Sequence, residues 1–336
     1  MRQSPRDTLL ASTGWLAARL DDPDVRVVDM RGYVRTVETA PGRQTAAYEG
    51  AAADYAEGHI PGAIYLDWTR DIAGPDSGVE AQVAAPARFA AELGGRGIGD
   101  GHLVVAYDAH PASQFATRLW WALRYYGHER AMVLDGGLAR WRREGRPLTR
   151  DIPAFPPATF TPRVQPAWRA TGEAVLATLG DPSRVLVDAR DAGQYSGAVR
   201  RGAVRRGEGR AGHIPGAIGL PREELIDPAT GGFRPDDELR AIFARAGIRP
   251  GRPVTAYCNG GVAATSILFG LALTGHEGLT NYDGSWNEWG ERAEWPVSTD
   301  SRGVQACSPA RRVVGGGLGG AISPGSPGGG KKGKEG

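Results

Sequence analysis

Residues 254–265 read VTAYCNGGVAAT. An apolar run ends on Cys258, glycines follow at 260 and 261, and an apolar-periodic stretch opens at Ala263. The pattern predicts a buried strand, a tight loop and a helix. Glycines accept backbone dihedrals that side chains forbid, so successive N–H groups can turn towards one point and form a nest of partial positive charge. The free N–H groups and dipole at the start of a helix add to it. A sulfur at the centre of such a nest is expected to ionise readily and act as a nucleophile. Other cysteine chemistries fit less well. A phosphate-cleaving loop needs an arginine six residues after the cysteine to fork onto the phosphate. That position is Ala264, and the first arginine after Cys258 is Arg292. A metal site needs several Cys or His ligands, and Cys258 has none near it in sequence. A cysteine–histidine pair needs a base, but His59 and His213 both stand in GHIPGAI. That string reads as a rigid turn entering a strand, with each ring hydrogen-bonded to loop backbone. The bland alternative is a buried structural cysteine, which has no need of a strand–Gly–Gly–helix turn.

The elements that must position this loop occur twice. GHIPGAI stands at 58–64 and again at 212–218. Upstream, VRVVDMR (25–31) matches RVLVDAR (184–190); downstream, LVVAYD (103–108) matches PVTAYC (253–258). VLDGGLARW (133–141) matches NYDGSWNEW (281–289). The spacing between copies drifts slowly, as small loop insertions in a duplicated domain would make it do. Continuous apolar runs at 25–29, 103–107, 131–134, 184–188, 253–257 and 279–282 predict strands covered on both faces. Residues 112–127 and 263–275 predict helices. The alternation gives an α/β fold with right-handed crossovers, and ligands then bind beyond the carboxyl ends of the strands. The Pro-rich stretch 146–166 is read as an extended linker between copies at 1–145 and 167–300. Asp283-Gly284 is read as a turn former, with Trp286 and Trp289 on one face of a short helix.

Composition narrows the function further. Residues 301–336 hold six basic side chains and one acid, so the +2 of the whole chain conceals a body of −3. A mildly acidic body argues against nucleic-acid binding. The tail, rich in Gly and Pro and carrying Cys307, is expected to be disordered. No apolar stretch has the roughly 18–20 residues of a membrane helix. With two cysteines and no apolar block after MRQSPRDTLL, a reducing cytoplasmic setting without disulfides is expected.

Taken together, VDAR, GHIPGAI, YCNGGVAAT and YDGSWNEW make residues 10–298 resemble the tandem-domain rhodaneses, the thiosulfate and 3-mercaptopyruvate sulfurtransferase family. The resemblance implies two similar α/β domains, each a mostly parallel sheet flanked by helices. The second is catalytic through Cys258, and the first is inactive because Asp108 replaces the cysteine. It implies transfer of sulfane sulfur through a Cys258 persulfide, with no metal or organic cofactor. A small anionic donor loads the enzyme, and cyanide, a thiol or a thioredoxin-like acceptor unloads it. Thiosulfate is taken as donor ahead of 3-mercaptopyruvate. The alternative is a module that carries a persulfide with little turnover. The family's donor-binding arginine matches Arg190, and a further downstream arginine matches Arg200 or Arg201. Arg205, Arg206 and Arg210 read equally as a solvated loop. Asn259, Gly260, Gly261, Val262 and Ala263 are expected to line the donor site. The loop departs from both family patterns, Cys-Arg-Lys-Gly and Cys-Gly-Ser-Gly: Asn259 brings no charge and Gly260 no hydroxyl. Because the duplication supplies an interface within one chain, a monomer is expected.

Overall fold

The computed structural model of the chain describes residues 4–74, 78–203 and 209–300. Arg205, Arg206 and the tail with Cys307 lie outside them. Thirteen strands are described: β1 (Leu10–Ala11), β2 (Val25–Asp29), β3 (Gly32–Ala40), β4 (Arg43–Gly50), β5 (Ile64–Tyr65), β6 (Leu103–Tyr107), β7 (Ala131–Leu134), β8 (Arg169–Ala170), β9 (Val185–Asp188), β10 (Arg200–Ala203), β11 (Ile218–Gly219), β12 (Val254–Tyr257) and β13 (Leu279–Tyr282). They form two five-stranded parallel sheets, ordered β1-β7-β6-β2-β5 and β11-β9-β12-β13-β8. All six strands predicted from apolar runs are present, two of them one residue shorter at the start. Helices cover both faces of each sheet, so the central strands are buried on either side and need no polar alternation.

The predicted helices span Gln114–Tyr125 and Ala264–Leu273 and pack against each other between the copies. Thr117 Oγ1 meets Thr265 Oγ1 at 2.9 Å, and Trp120 stands edge-on to Phe269 at 5.0 Å. The second helix, ATSILFGLAL, is apolar on nearly every side because it has no solvent face to supply. Each of its fully buried large side chains contributes about 2 kcal/mol of transfer free energy.

The duplicated motifs fold alike and are tied crosswise. Asp283 of the second copy accepts from the Val83 amide of the first (2.9 Å), while Asp135 of the first accepts from the Phe233 amide of the second (3.0 Å). The stretch 146–166 forms no helix before Pro166, which opens a 3-10 turn (Pro166–Trp168), and it is strapped along the first copy, with Arg163 and Gln165 amides donating to Tyr126 and Tyr125 carbonyls.

One element has no counterpart among the described residues of the second copy. β3 and β4 make an antiparallel hairpin, and β10 from the second copy joins β4 in parallel, pairing Arg201 with Gln44. This small sheet, β10-β4-β3, lays part of the first copy over the cysteine loop of the second. Among the described residues, no helix is long and apolar enough to cross a membrane.

Candidate active site

Cys258 is the residue after β12, at the carboxyl edge of the second sheet. It is a free thiol, 3% exposed. The loop that follows is stitched down by its own carbonyls: Trp286 N–H donates to Cys258 O (3.0 Å) and Asn287 N–H to Asn259 O (2.8 Å). The Cys258 amide donates to Ser285 Oγ (3.1 Å). Gly261 carries a φ of +70° and turns its carbonyl inward, where it accepts from Arg118 Nη1 (3.1 Å) and Asn281 Nδ2 (2.9 Å). With these carbonyls drawn away, the amides of 259–264 donate to no protein acceptor among the described residues. A run of free N–H groups at the head of a ten-residue helix favours an anion beside it.

Gly261 cannot be replaced cheaply. A Cβ there would lie 2.6 Å from the Asp283 carbonyl oxygen, and the dihedral itself is unfavourable for an L side chain. Gly261→Ala is expected to destabilise the protein by about 1–3 kcal/mol and to slow alkylation of Cys258, read by urea titration and iodoacetamide kinetics.

The matching loop in the first copy shows what fills a nest when sulfur is absent. Asp108 follows β6, and its carboxylate accepts from the amides of His110 (2.9 Å), Phe115 (2.8 Å) and Ala116 (2.9 Å). Burial pushes this acid up to about 7, with the three amides pulling the other way. The first nest is thus occupied by the chain's own side chain and has no vacancy for a substrate anion.

The expected donor-binding residues separate into three groups. Gly260, Val262 and Ala263 line an open cleft of about 500 Å³ beside Cys258. Asn259 lines it too, but its Nδ2 donates to Gln194 Oε1 (2.9 Å), whose own Nε2 donates to Asp191 (2.6 Å). Because a carboxylate only accepts, this chain fixes both amides and leaves Asn259 Oδ1 without a partner. Gly261 lies behind the wall and is not part of the cleft surface.

Arg190 borders the cleft, yet most of its guanidinium is taken. It grips Asp188 through Nε (3.0 Å) and Nη2 (2.7 Å), gives Nη2 also to Gly212 O (2.7 Å), and lies 4.2 Å over the Trp286 ring. The same lock occurs in the copy without cysteine, where Arg31 grips Asp29 and the Gly58 carbonyl. Tyr257 and Tyr107 complete the two carboxylate clusters, each at 2.7 Å. A contact present in both copies serves the fold first.

Strand alternation separates the next pair. Arg200 is exposed and off the cleft, whereas Arg201 lines it, and its guanidinium has no salt-bridge or hydrogen-bond partner among the described residues. Arg210 is tied to the carbonyls of Arg292 (2.7 Å) and Trp295 (2.8 Å), away from the cleft. The histidines of GHIPGAI behave as the sequence suggested. His213 Nδ1 bonds Tyr195 O (2.8 Å) and stacks on that ring at 3.7 Å, and His59 repeats this with Tyr55.

Other wall residues were not foreseen. Gln194 and Arg222 come from the second copy; Tyr33, Tyr48, Trp68, His110, Gln114 and Phe115 come from the first. Arg222 pairs with Glu223 through Nη2 (2.9 Å), and its Nε has no partner. Burial pushes His110 down to about 3, so its imidazole is neutral. The hairpin residues had a signal: YVRTVET and RQTAAYEG flank Pro41-Gly42, a β-rich pair of runs around a turn.

Comparison with known proteins agrees with this geometry. The rhodanese-like domain model matches residues 12–144 and again 171–292. The 3-mercaptopyruvate sulfurtransferase of Escherichia coli K12 is 32% identical, over 86% of this chain and 98% of its own. The thiosulfate sulfurtransferase of Rattus norvegicus is 34% identical, over 84% of this chain and 92% of its own. The crystal structure of SseA from Escherichia coli superposes with a TM-score of 0.71 at 29% identity, covering 83% of this chain and 99% of that one.

Proposed function

The chain belongs to the rhodanese family of sulfurtransferases, and we propose that it carries sulfane sulfur from thiosulfate, through a persulfide on Cys258, to a nucleophilic acceptor. The observation that carries this reading is a free cysteine followed by amides with no protein acceptor. In the first step the Cys258 thiolate attacks the outer sulfur of the donor. A sulfur–sulfur bond forms, the donor's own sulfur–sulfur bond breaks, and sulfite leaves with the electron pair. In the second step the acceptor takes the outer sulfur and the thiolate returns. The covalent intermediate divides one transfer into two, and the free amides stabilise the charge on sulfur in both.

Thiosulfate fits the loop better than 3-mercaptopyruvate for a chemical reason. Sulfite departs as a stable anion and needs no proton, whereas the carbon left by mercaptopyruvate must be protonated to give pyruvate. Residues 259–263 offer no hydroxyl or acid for that purpose. The donor's negative end is assigned to Arg201, the cleft arginine with no salt-bridge or hydrogen-bond partner among the described residues, with Arg222 and Arg190 also on the cleft wall. Incubation with thiosulfate should add one sulfur atom to the intact mass, and kcat/KM should be higher for thiosulfate than for mercaptopyruvate. Arg201→Ala should raise KM for thiosulfate about tenfold, through loss of a charge-assisted hydrogen bond, with a smaller change in kcat. No sulfur uptake from either donor rejects the persulfide. Loading without multiple turnover on cyanide identifies a carrier module instead of an enzyme.

A further inference from the structure

Tyr48 stands on β4, the middle strand of the β10-β4-β3 sheet, and belongs to the copy without cysteine. Its ring packs on Trp68 at 5.2 Å, and Trp68 packs in turn on Phe115 at 4.9 Å. The phenol oxygen accepts from Asn287 Nδ2 (3.1 Å), on the short helix Ser285–Trp289 that also stitches down the Cys258 loop. A phenol that accepts still has its own hydrogen to give, and among the described residues nothing takes it. The oxygen stands over the loop itself: a Cβ built on Gly260 would lie 3.2 Å from it. Burial raises the phenol's pKa, Arg201 and the Asn287 bond lower it, and the nearby Cys258 charge raises it; the net direction is up. The group is therefore a hydrogen-bond donor near neutral pH and a poor proton source.

This placement matters for the second half-reaction, and the inference rests on the persulfide reading above. The outer sulfur of a persulfide carries negative charge, and so does a thiolate or cyanide acceptor. Attack requires that charge to be drawn off the sulfur. We propose that Tyr48 donates its hydroxyl hydrogen to the outer sulfur of the Cys258 persulfide and makes that sulfur electrophilic. The acceptor's lone pair forms the new bond to sulfur, the persulfide bond breaks, and its electron pair returns to Cys258. No proton is transferred. The cysteine-free copy thereby supplies a catalytic group to the other copy's site, across the small sheet that joins them.

The test separates the two half-reactions. Wild type and Tyr48→Phe are loaded with thiosulfate, checked by intact mass, and mixed with cyanide while thiocyanate formation is followed in a single turnover. Tyr48→Phe should load within about threefold of the wild-type rate and discharge about 10–100-fold more slowly. The double variant Tyr48→Phe/Gly260→Ser sets a hydroxyl on the loop, on the side the phenol oxygen faced, and should recover at least about tenfold of the lost discharge rate. Its added Cβ no longer meets the phenol oxygen, and the remaining close neighbours, Asn287 Nδ2 at 3.2 Å and Ala81 Cβ at 3.3 Å, must give by a few tenths of an ångström. Discharge of loaded Tyr48→Phe at the wild-type rate overturns the proposal. Equal slowing of both steps, unrescued by the serine, also overturns it and leaves Tyr48 a packing residue. A wild type that never loads refutes the persulfide reading and this inference with it.

Discussion

Cys258→Ser is expected to lower sulfur transfer by roughly four orders of magnitude or more, while the protein stays folded. Removal of an enzyme's sole nucleophile typically has effects of that size. Serine keeps the shape of the side chain but is a far weaker nucleophile near neutral pH and cannot hold a persulfide. The fold has little reason to respond. Cys258 Sγ makes no disulfide, and the bonds that anchor the loop run through its backbone to Ser285 and Trp286. The hydroxyl lands beside amides that lack acceptors, so its burial cost is met by new hydrogen bonds, and stability should change by about 1 kcal/mol or less. The measurements are thiocyanate formation from thiosulfate and cyanide, intact mass after loading, and the urea midpoint. Transfer retained within tenfold of wild type would move the chemistry to another group. Asp108 sharpens the expectation. The first copy has the same strand-loop-helix frame, yet its nest is filled by a carboxylate, so it cannot substitute for the second.

The frame of the molecule was legible because its signals are local. An apolar strand such as Val25–Asp29 has to be buried on both faces, and a seven-residue string repeated with its neighbours can only mean a repeated unit. The cysteine loop was legible for the same reason, since Gly261 at a φ of +70° is a demand made at one residue. Arg190 shows where locality misleads. Its position after a strand fixes where it stands, but its partner Asp188 lies two residues back, and the geometry that consumes the guanidinium appears only when Arg31 and Asp29 are seen to repeat it. The choice between Arg200 and Arg201 needed the register of β10 on β4, a pairing between residues more than 150 apart. Tyr48 and His110 were out of reach on similar grounds. Nothing in their own neighbourhood points to Cys258; the docking of one copy on the other brings them there.

The same docking makes Asp283 the residue whose loss should cost most stability. Sequence marks Asp283-Gly284 as a turn. The structure gives the carboxylate, which is fully buried, two arginines and an amide. Arg118 Nη1 approaches Oδ1 at 2.7 Å, an ion pair whose N–H axis points off the oxygen, while Arg169 Nε and the Val83 amide reach Oδ2 at 3.1 and 2.9 Å. Arg118 is itself 2% exposed and also holds the Gly261 carbonyl. Asp283→Asn keeps the volume but strands these cations inside, and removing one partner of a buried pair costs about 3–5 kcal/mol. The urea midpoint should fall accordingly, and unfolding should broaden or split as the copies come apart first. Sulfur transfer should fall at temperatures where the protein is still folded, because Gly261 loses the support of its neighbours. Asp135 provides the internal control. It mirrors Asp283 across the repeat, accepting from the Phe233 amide and pairing with Arg140, but its side chain is 16% exposed and Arg140 is 29% exposed. Water can compensate there, so Asp135→Asn should cost about 1 kcal/mol. If the two substitutions cost the same, burial is not what distinguishes them, and the interface is held by its apolar helices alone.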